Sequence, residues 1–159
     1  MTHGIGIGIG AGLVRGALAG AAGTTALNVA TYLDMAVRGR GASSAPEDTV
    51  EAIADSLGVE IPGDGDTEAH RASGLGALMG LATGVAVGAA VGATTAGRRP
   101  ALPVVALAAT LGAMAGSILP MAALGVSDPR EWAVGDWVSD ALPHAAYGLV
   151  TAWALDVMG

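Results

Sequence analysis

Residues 76–92 read GALMGLATGVAVGAAVG, and residues 4–20 read GIGIGIGAGLVRGALAG. The first stretch places glycine at Gly76, Gly80, Gly84, Gly88 and Gly92, the second at Gly4, Gly8, Gly12, Gly16 and Gly20. A four-residue step keeps small residues near one face of an α-helix, drifting about 40° around it per repeat. In water each such glycine costs a helix about 1 kcal/mol against alanine. In a bilayer the same stripe lets two helix backbones touch, the small-xxx-small mode of association. Gly112 and Gly116 form a shorter pair of the same kind. The fold expected is all-α: an integral membrane bundle of four transmembrane helices with glycine-zipper packing, plus one short amphipathic surface helix.

Composition agrees with a membrane environment. Of 159 residues, 52% are hydrophobic and 13% are charged, with a mean hydropathy of +0.57. Soluble domains carry about 25% charged residues. The charge-free stretches are 16–33, 72–97, 101–127 and, shorter, 141–155. Lengths near 20 residues match a hydrocarbon core about 30 Å thick. One transmembrane domain over 1–159 follows, with spans at about 16–36, 73–96, 103–124 and 138–158 and a polar loop at 38–71. The absence of lysine, phenylalanine and cysteine, beside 26 glycines, points to a GC-rich bacterial genome of actinobacterial type. Without cysteine there is neither a disulfide framework nor thiolate chemistry. The net charge of −7 gathers mainly in one loop, and no basic face exists for nucleic acid.

Arg15 and Asp34 bracket the first uncharged window. Either the span is 16–33 and GIGIGIG protrudes, or Arg15 lies inside and needs a partner; a central arginine costs at least about 2.5 kcal/mol. One ladder is expected to pack inside the protomer, against the other ladder or against the third span; the second ladder, wholly within an uncharged stretch, is the expected self-association interface, with Gly84 at its centre. The first ladder is expected to build a contact partly above the bilayer. In the polar segment, Ser44 and Glu47 flank Pro46 as a capping box. Val50, Ile53, Ala54 and Leu57 then follow at helical spacing up to Gly58. This helix has an acidic polar face, which disfavours anionic lipid and favours packing on the protein. Pro62-Gly63-Asp64-Gly65-Asp66 reads as a turn-rich loop. Trp132 and Trp137 suit one membrane interface and Trp153 the other. Arg38, Arg40, Arg71 and Arg130 lie on one side, and Arg15, Arg98 and Arg99 on the other; four against three leaves the orientation open.

The residues that could carry chemistry cluster late in the chain. Asp136, Asp140 and His144 fall at i, i+4 and i+8, with Tyr147 beside His144. Pro143 frees a backbone carbonyl near Ser139. Carboxylates and imidazole at membrane depth face bundle interiors or wet cavities. One reading is a proton relay, a polar path or a cation site. The other is a helix start at the interface, with the aspartates favouring the positive N-terminus. Thr24, Asn28 and Tyr32 continue the four-residue step of the first ladder, lining a pore or bonding a neighbouring helix. Asp34 and Arg38 form an i, i+4 staple. Zinc needs three or four converging ligands, and no metal site or cofactor is expected. GIGIGIG lacks the βαβ setting of a dinucleotide-binding loop. No nucleophile pairs with His144, so no enzyme is expected.

The region 15–156 resembles the YagU-like family of small bacterial inner-membrane proteins. The likeness rests on the Gly/Ala-rich first helix ending at Arg38-Gly39-Arg40 and on Pro143-His144-Ala145-Ala146-Tyr147-Gly148. It implies a multi-pass protein of the bacterial inner membrane, loosely connected with acid stress, and a role for His144. The function expected is a self-associating multi-pass protein that forms a channel or a proton- or ion-linked transporter. The alternative is a structural or assembly subunit of a larger membrane complex. The partners expected are the lipid bilayer and further copies of the chain.

Overall fold

The computed structural model describes residues 2–159, with side-chain surroundings from residue 8 onward. His3 and Gly4 lie outside that second range. Five helices follow in order: α1 (Thr2–Arg38), α2 (Ala45–Leu57), α3 (Gly65–Thr95), α4 (Leu102–Ala123) and α5 (Val134–Met158). The described residues contain no strand, and the all-α class holds. Two helices, α3 and α4, are long and apolar enough to cross a membrane. The sequence reading expected four. In α1 the apolar stretch is diluted by glycine, threonine and Asn28, and in α5 by Pro143, His144, Tyr147 and Thr151.

The four long helices alternate in direction. Gly12 lies against Gly92 and Gly20 against Gly84, so α1 runs antiparallel to α3. Gly112 meets Val87 and Gly116 meets Thr83, so α4 runs antiparallel to α3. Gly148 of α5 meets Ala106 and Thr110 of α4, and Gly23 of α1 meets Tyr147 and Thr151. The result is an up-and-down bundle in which α1 and α4 each touch both α3 and α5.

The two glycine ladders pack on each other inside one chain. A methyl built on Gly12 would sit 2.5 Å from Gly92 O, and one on Gly16 would sit 2.9 Å from Ala89 Cα. A methyl on Gly88 would lie 2.5 Å from Gly20 Cα, and one on Gly92 would lie 2.7 Å from Gly16 Cα. Only glycine admits this approach. From Gly12 to Gly20 and from Gly84 to Gly92 the stripes are used up by the mutual contact, the packing of one ladder on the other expected as one arrangement inside the protomer; Gly84 is buried there, which corrects its placing at the centre of an intermolecular interface. The pairing ends at Thr24 and Gly84. Gly80 has nothing within 4 Å, and Gly76 packs instead on Pro46 of α2. Two straight helices that cross cannot keep a four-residue stripe in register beyond about three repeats, because each stripe winds around its own axis.

The shorter elements follow local chemistry. Thr49 is buried as α2 packs on the start of α3, and the surface helix rests on the protein as expected. Gly58 closes α2 at φ +64, with its N–H bonding the last carbonyls. The expected capping box does not form. Ser44 is helical itself and its hydroxyl donates to Asp48 Oδ2 at 2.9 Å, while Glu47 keeps a buried oxygen with no hydrogen bond. α3 begins at Gly65, earlier than expected, so Gly65 and Asp66 belong to it. Asp66 and Glu68 in its first turn favour the positive end of the helix. Arg15 is exposed, on the turn of α1 that faces Gly88 and Gly92, near the end of α3 at Thr95.

Candidate functional site

The expected path Asp136–Asp140–His144 starts from one face of α5, and the structure divides it. Asp136 lies in the first turn of α5, exposed, and its Oδ2 accepts the backbone N–H of Ala133 at 2.9 Å. It caps the helix, so the helix-start reading holds for this residue. One turn further on the chain goes inward. Asp140 is partly buried and His144 is buried. His144 Nδ1 donates to the carbonyl of Asp140 at 2.7 Å and stands 3.5 Å from its Oδ2. That Oδ2 is buried and accepts no hydrogen bond. A buried carboxylate oxygen without a donor is costly, by about 1–3 kcal/mol, and the imidazole is the group placed to pair with it once protonated.

Three further residues complete the cluster, none of them singled out in the sequence for this role. Ser117 of α4 lies 3.5 Å from His144 Nε2 while donating to Met114 O at 3.0 Å. Its hydroxyl can accept from a protonated imidazole without moving. At the outer end, Arg38 Nη1 donates to Ser139 Oγ at 3.0 Å and pairs with Asp34 at 3.4 Å. Arg40 Nε pairs with the same carboxylate at 2.5 Å. The expected Asp34–Arg38 staple therefore exists, and it ties the end of α1 to the start of α5. The cluster runs inward from this end: Arg38, Ser139, Asp140, His144, Ser117.

Deeper in the bundle the polar groups are committed to backbone. Tyr147 is fully buried, and its hydroxyl donates across the bundle to Gly84 O at 2.6 Å. Thr24 donates to Gly20 O at 2.9 Å and Thr110 to Ala106 O at 2.9 Å. Thr151 reaches Ala19 O at 3.5 Å. Ala109 and Ala113 pack against the Tyr147 ring, with Leu27, Val87 and Val91 around them. Tyr147 is thus a helix-to-helix tie. Asn28 is exposed on α1 and does not join the His144 cluster, which removes it from the expected path. Of the packing glycines, Gly12, Gly16, Gly20, Gly84, Gly88 and Gly92 form the α1–α3 contact, Gly112 and Gly116 seat α4 on α3, Gly76 seats α2, and Gly80 faces open space.

Two pockets lie outside this core. One, of about 300 Å³, is formed by the α4–α5 loop around Ser127, Asp128 and Arg130. Arg130 donates to Asp128 through Nε at 2.9 Å and Nη2 at 2.7 Å, and these bonds hold the Asp128 carboxyl down at about 2. Trp132 closes the same loop, donating to Ser127 Oγ at 2.8 Å and stacking edge-on against Trp137 at 4.9 Å. The other pocket is an apolar groove between α2 and α3. Among the described residues no group of three or more metal-binding side chains converges. No family model, no curated protein and no solved structure matches the chain.

Proposed function

We propose that the chain is a small four-span membrane protein that acts as a structural or assembly subunit and conducts nothing through its own bundle. The observation that carries this reading is the closure of the α1–α3–α5 axis. At Gly12–Gly92, Gly16–Gly88 and Gly20–Gly84 the backbones meet with no room for a methyl group, and therefore none for water. At the next level Tyr147 fills the space between the three helices. The polar cluster around His144 leads to the end of the bundle where Arg38 meets Ser139.

The four-span reading extends what α3 and α4 support. The polar residues that lower the hydropathy of α5, His144, Tyr147 and Thr151, are turned inward. Its outward side chains are Val138, Leu142, Leu149, Trp153 and Val157. On α1 the outward set includes Val14, Leu18, Val29 and Leu33. Each is a surface that lipid accepts. Trp137 and Trp153 are separated on α5 by about 24 Å at 1.5 Å per residue, close to the distance between two interfacial aromatic belts. Self-association then uses the face where α1 and α3 part, with exposed Asn28 and Gly80. An amide facing hydrocarbon gains from a partner, by about 0.6–2 kcal/mol in a helix pair.

A second reading is a proton-linked role, and the unbonded Asp140 Oδ2 beside His144 favours it. One experiment separates the two. The purified chain is reconstituted into vesicles carrying a pH-sensitive dye and driven by a pH gradient, and cross-linking of Asn28→Cys is measured in the same membranes. The chain has no other cysteine, so any cross-link is at this site. The subunit reading expects no proton flux and a cross-link to another copy of the chain. Flux that disappears in His144→Ala overturns it in favour of the second.

A further inference from the structure

The groove between α2 and α3 has a volume of about 620 Å³, within the roughly 300–1,000 Å³ of small-molecule sites. Its walls are the apolar side of α2 (Ile53 and Leu57), Ile61 from the connecting loop, and Leu75 and Leu78 from α3. Leu57, Leu75 and Leu78 remain strongly exposed. Two charged residues line the same groove, Arg71 and Glu60. Arg71 is anchored across the loop by a hydrogen bond from Nη1 to Pro62 O, and it is exposed. An arginine held by one nitrogen still presents other N–H donors in a fixed fork.

Depth along α3 gives the groove its meaning. Arg71 is the last charged residue before the uncharged stretch 72–97, and Leu75 and Leu78 lie one and two turns further in. The charged pair therefore stands where headgroups lie, and the apolar walls where acyl chains begin. The elements that form it are acidic, with Asp48, Glu51 and Asp55 on α2 and Asp64, Asp66 and Glu68 at the start of α3, and Glu60 is the acidic residue of the lining itself. Such a field repels an anionic headgroup but suits one that carries both signs.

We propose that this groove holds an acyl chain of a zwitterionic bilayer phospholipid of the phosphoethanolamine class, with its phosphate on Arg71 and its ammonium toward Glu60. The inference rests on the membrane reading above. Arginine supplies charge-assisted hydrogen bonds to phosphate, and the acidic neighbours supply the preference over phosphoglycerol lipids.

Native mass spectrometry of the full chain, released from detergent micelles after addition of dioleoyl-phosphatidylethanolamine or dioleoyl-phosphatidylglycerol, tests it. The chain is expected to keep one phosphatidylethanolamine and to keep phosphatidylglycerol far less. Arg71→Gln should weaken retention about tenfold, the scale of one hydrogen bond to a charged group. Gly74→Leu fills the groove from a position with nothing within 4 Å, so it should fold normally and lose the lipid. Equal retention of both lipids, retention unchanged in both variants, or a second copy of the chain held in place of lipid would overturn the proposal. Flotation with phosphatidylethanolamine vesicles separates the two levels: a chain that floats with an empty groove refutes the groove alone, and one that does not float refutes the membrane reading.

Discussion

Gly16→Ala and Gly80→Ala make the same chemical change in members of the two glycine stripes, and the structure assigns them opposite signs. At Gly16 the new methyl would lie 2.9 Å from Ala89 Cα and closer still to Gly88 O. Ordinary carbon contacts sit at about 3.5–4.0 Å, so α1 and α3 must part by roughly 0.6–1.1 Å to clear Ala89 Cα, and further to clear Gly88 O. The obstructing atoms are backbone, which cannot rotate away, so the overpacking cost belongs near the top of its range, about 3 kcal/mol. Helix propensity returns up to about 1 kcal/mol, leaving about 2 kcal/mol of destabilisation. At Gly80 nothing lies within 4 Å, so only the propensity gain of about 0.5–1 kcal/mol applies. At about 2–4 °C per kcal/mol for a chain of this size, Gly16→Ala should lower the melting temperature by about 4–8 °C. Gly80→Ala should raise it by about 1–4 °C on the same scale. Thermal unfolding followed by far-ultraviolet circular dichroism in a mild detergent, on dispersed protein, measures both. If the two variants shift the same way by similar amounts, the ladders do not pack as described.

Tyr147→Phe removes the bond to Gly84 O while keeping the ring among Ala109, Ala113 and Leu27; a loss of about 0.5–1.5 kcal/mol is expected in the same assay, and a loss above about 3 kcal/mol would mean that the hydroxyl does more than tie α5 to α3. Arg130→Ala should release Asp128 from about 2 toward its ordinary 3.8. Because this carboxyl is depressed in the folded chain, its contribution is fully present above pH 3.8 and fades as pH falls toward about 2. The variant should therefore lose that part of the acid dependence of unfolding, and an Asp128 resonance still titrating near its former value would refute the pairing.

What could be read from the sequence follows from the range of each interaction. A four-residue stripe of small residues names a helix face, so Gly12, Gly16 and Gly20 were legible as packing positions. The stripe carries no address for its partner. That α1 meets α3 emerges only when both stripes, antiparallel, come into register at Gly12–Gly92 and Gly20–Gly84. Extrapolating the step to Asn28 and Gly80 failed because the helices part where the winding stripes leave the contact. Asp136 shares the spacing of Asp140 and His144, but α5 begins at Val134, and a carboxylate in a first turn serves the free N–H groups nearest to it. The neighbours of His144 were beyond local reasoning. Ser117 is 27 residues away in sequence, and Arg38 is 101 residues from Ser139.

The ladders and the His144 cluster constrain each other. Glycine pairing brings α1 and α3 so close that Tyr147, entering from α5, can reach a carbonyl of α3 at 2.6 Å. That reach fixes the rotation of α5, and with it the faces given to residues one turn away. His144 is one such residue, and the same rotation turns it toward Ser117 of α4. Asp140, one turn further out, then faces inward with it and loses water from one oxygen. The buried carboxylate thus follows from the tight packing of the other half of the bundle. Loosening the ladder should therefore be felt at Asp140 as well, because a rotated α5 would return that oxygen to water.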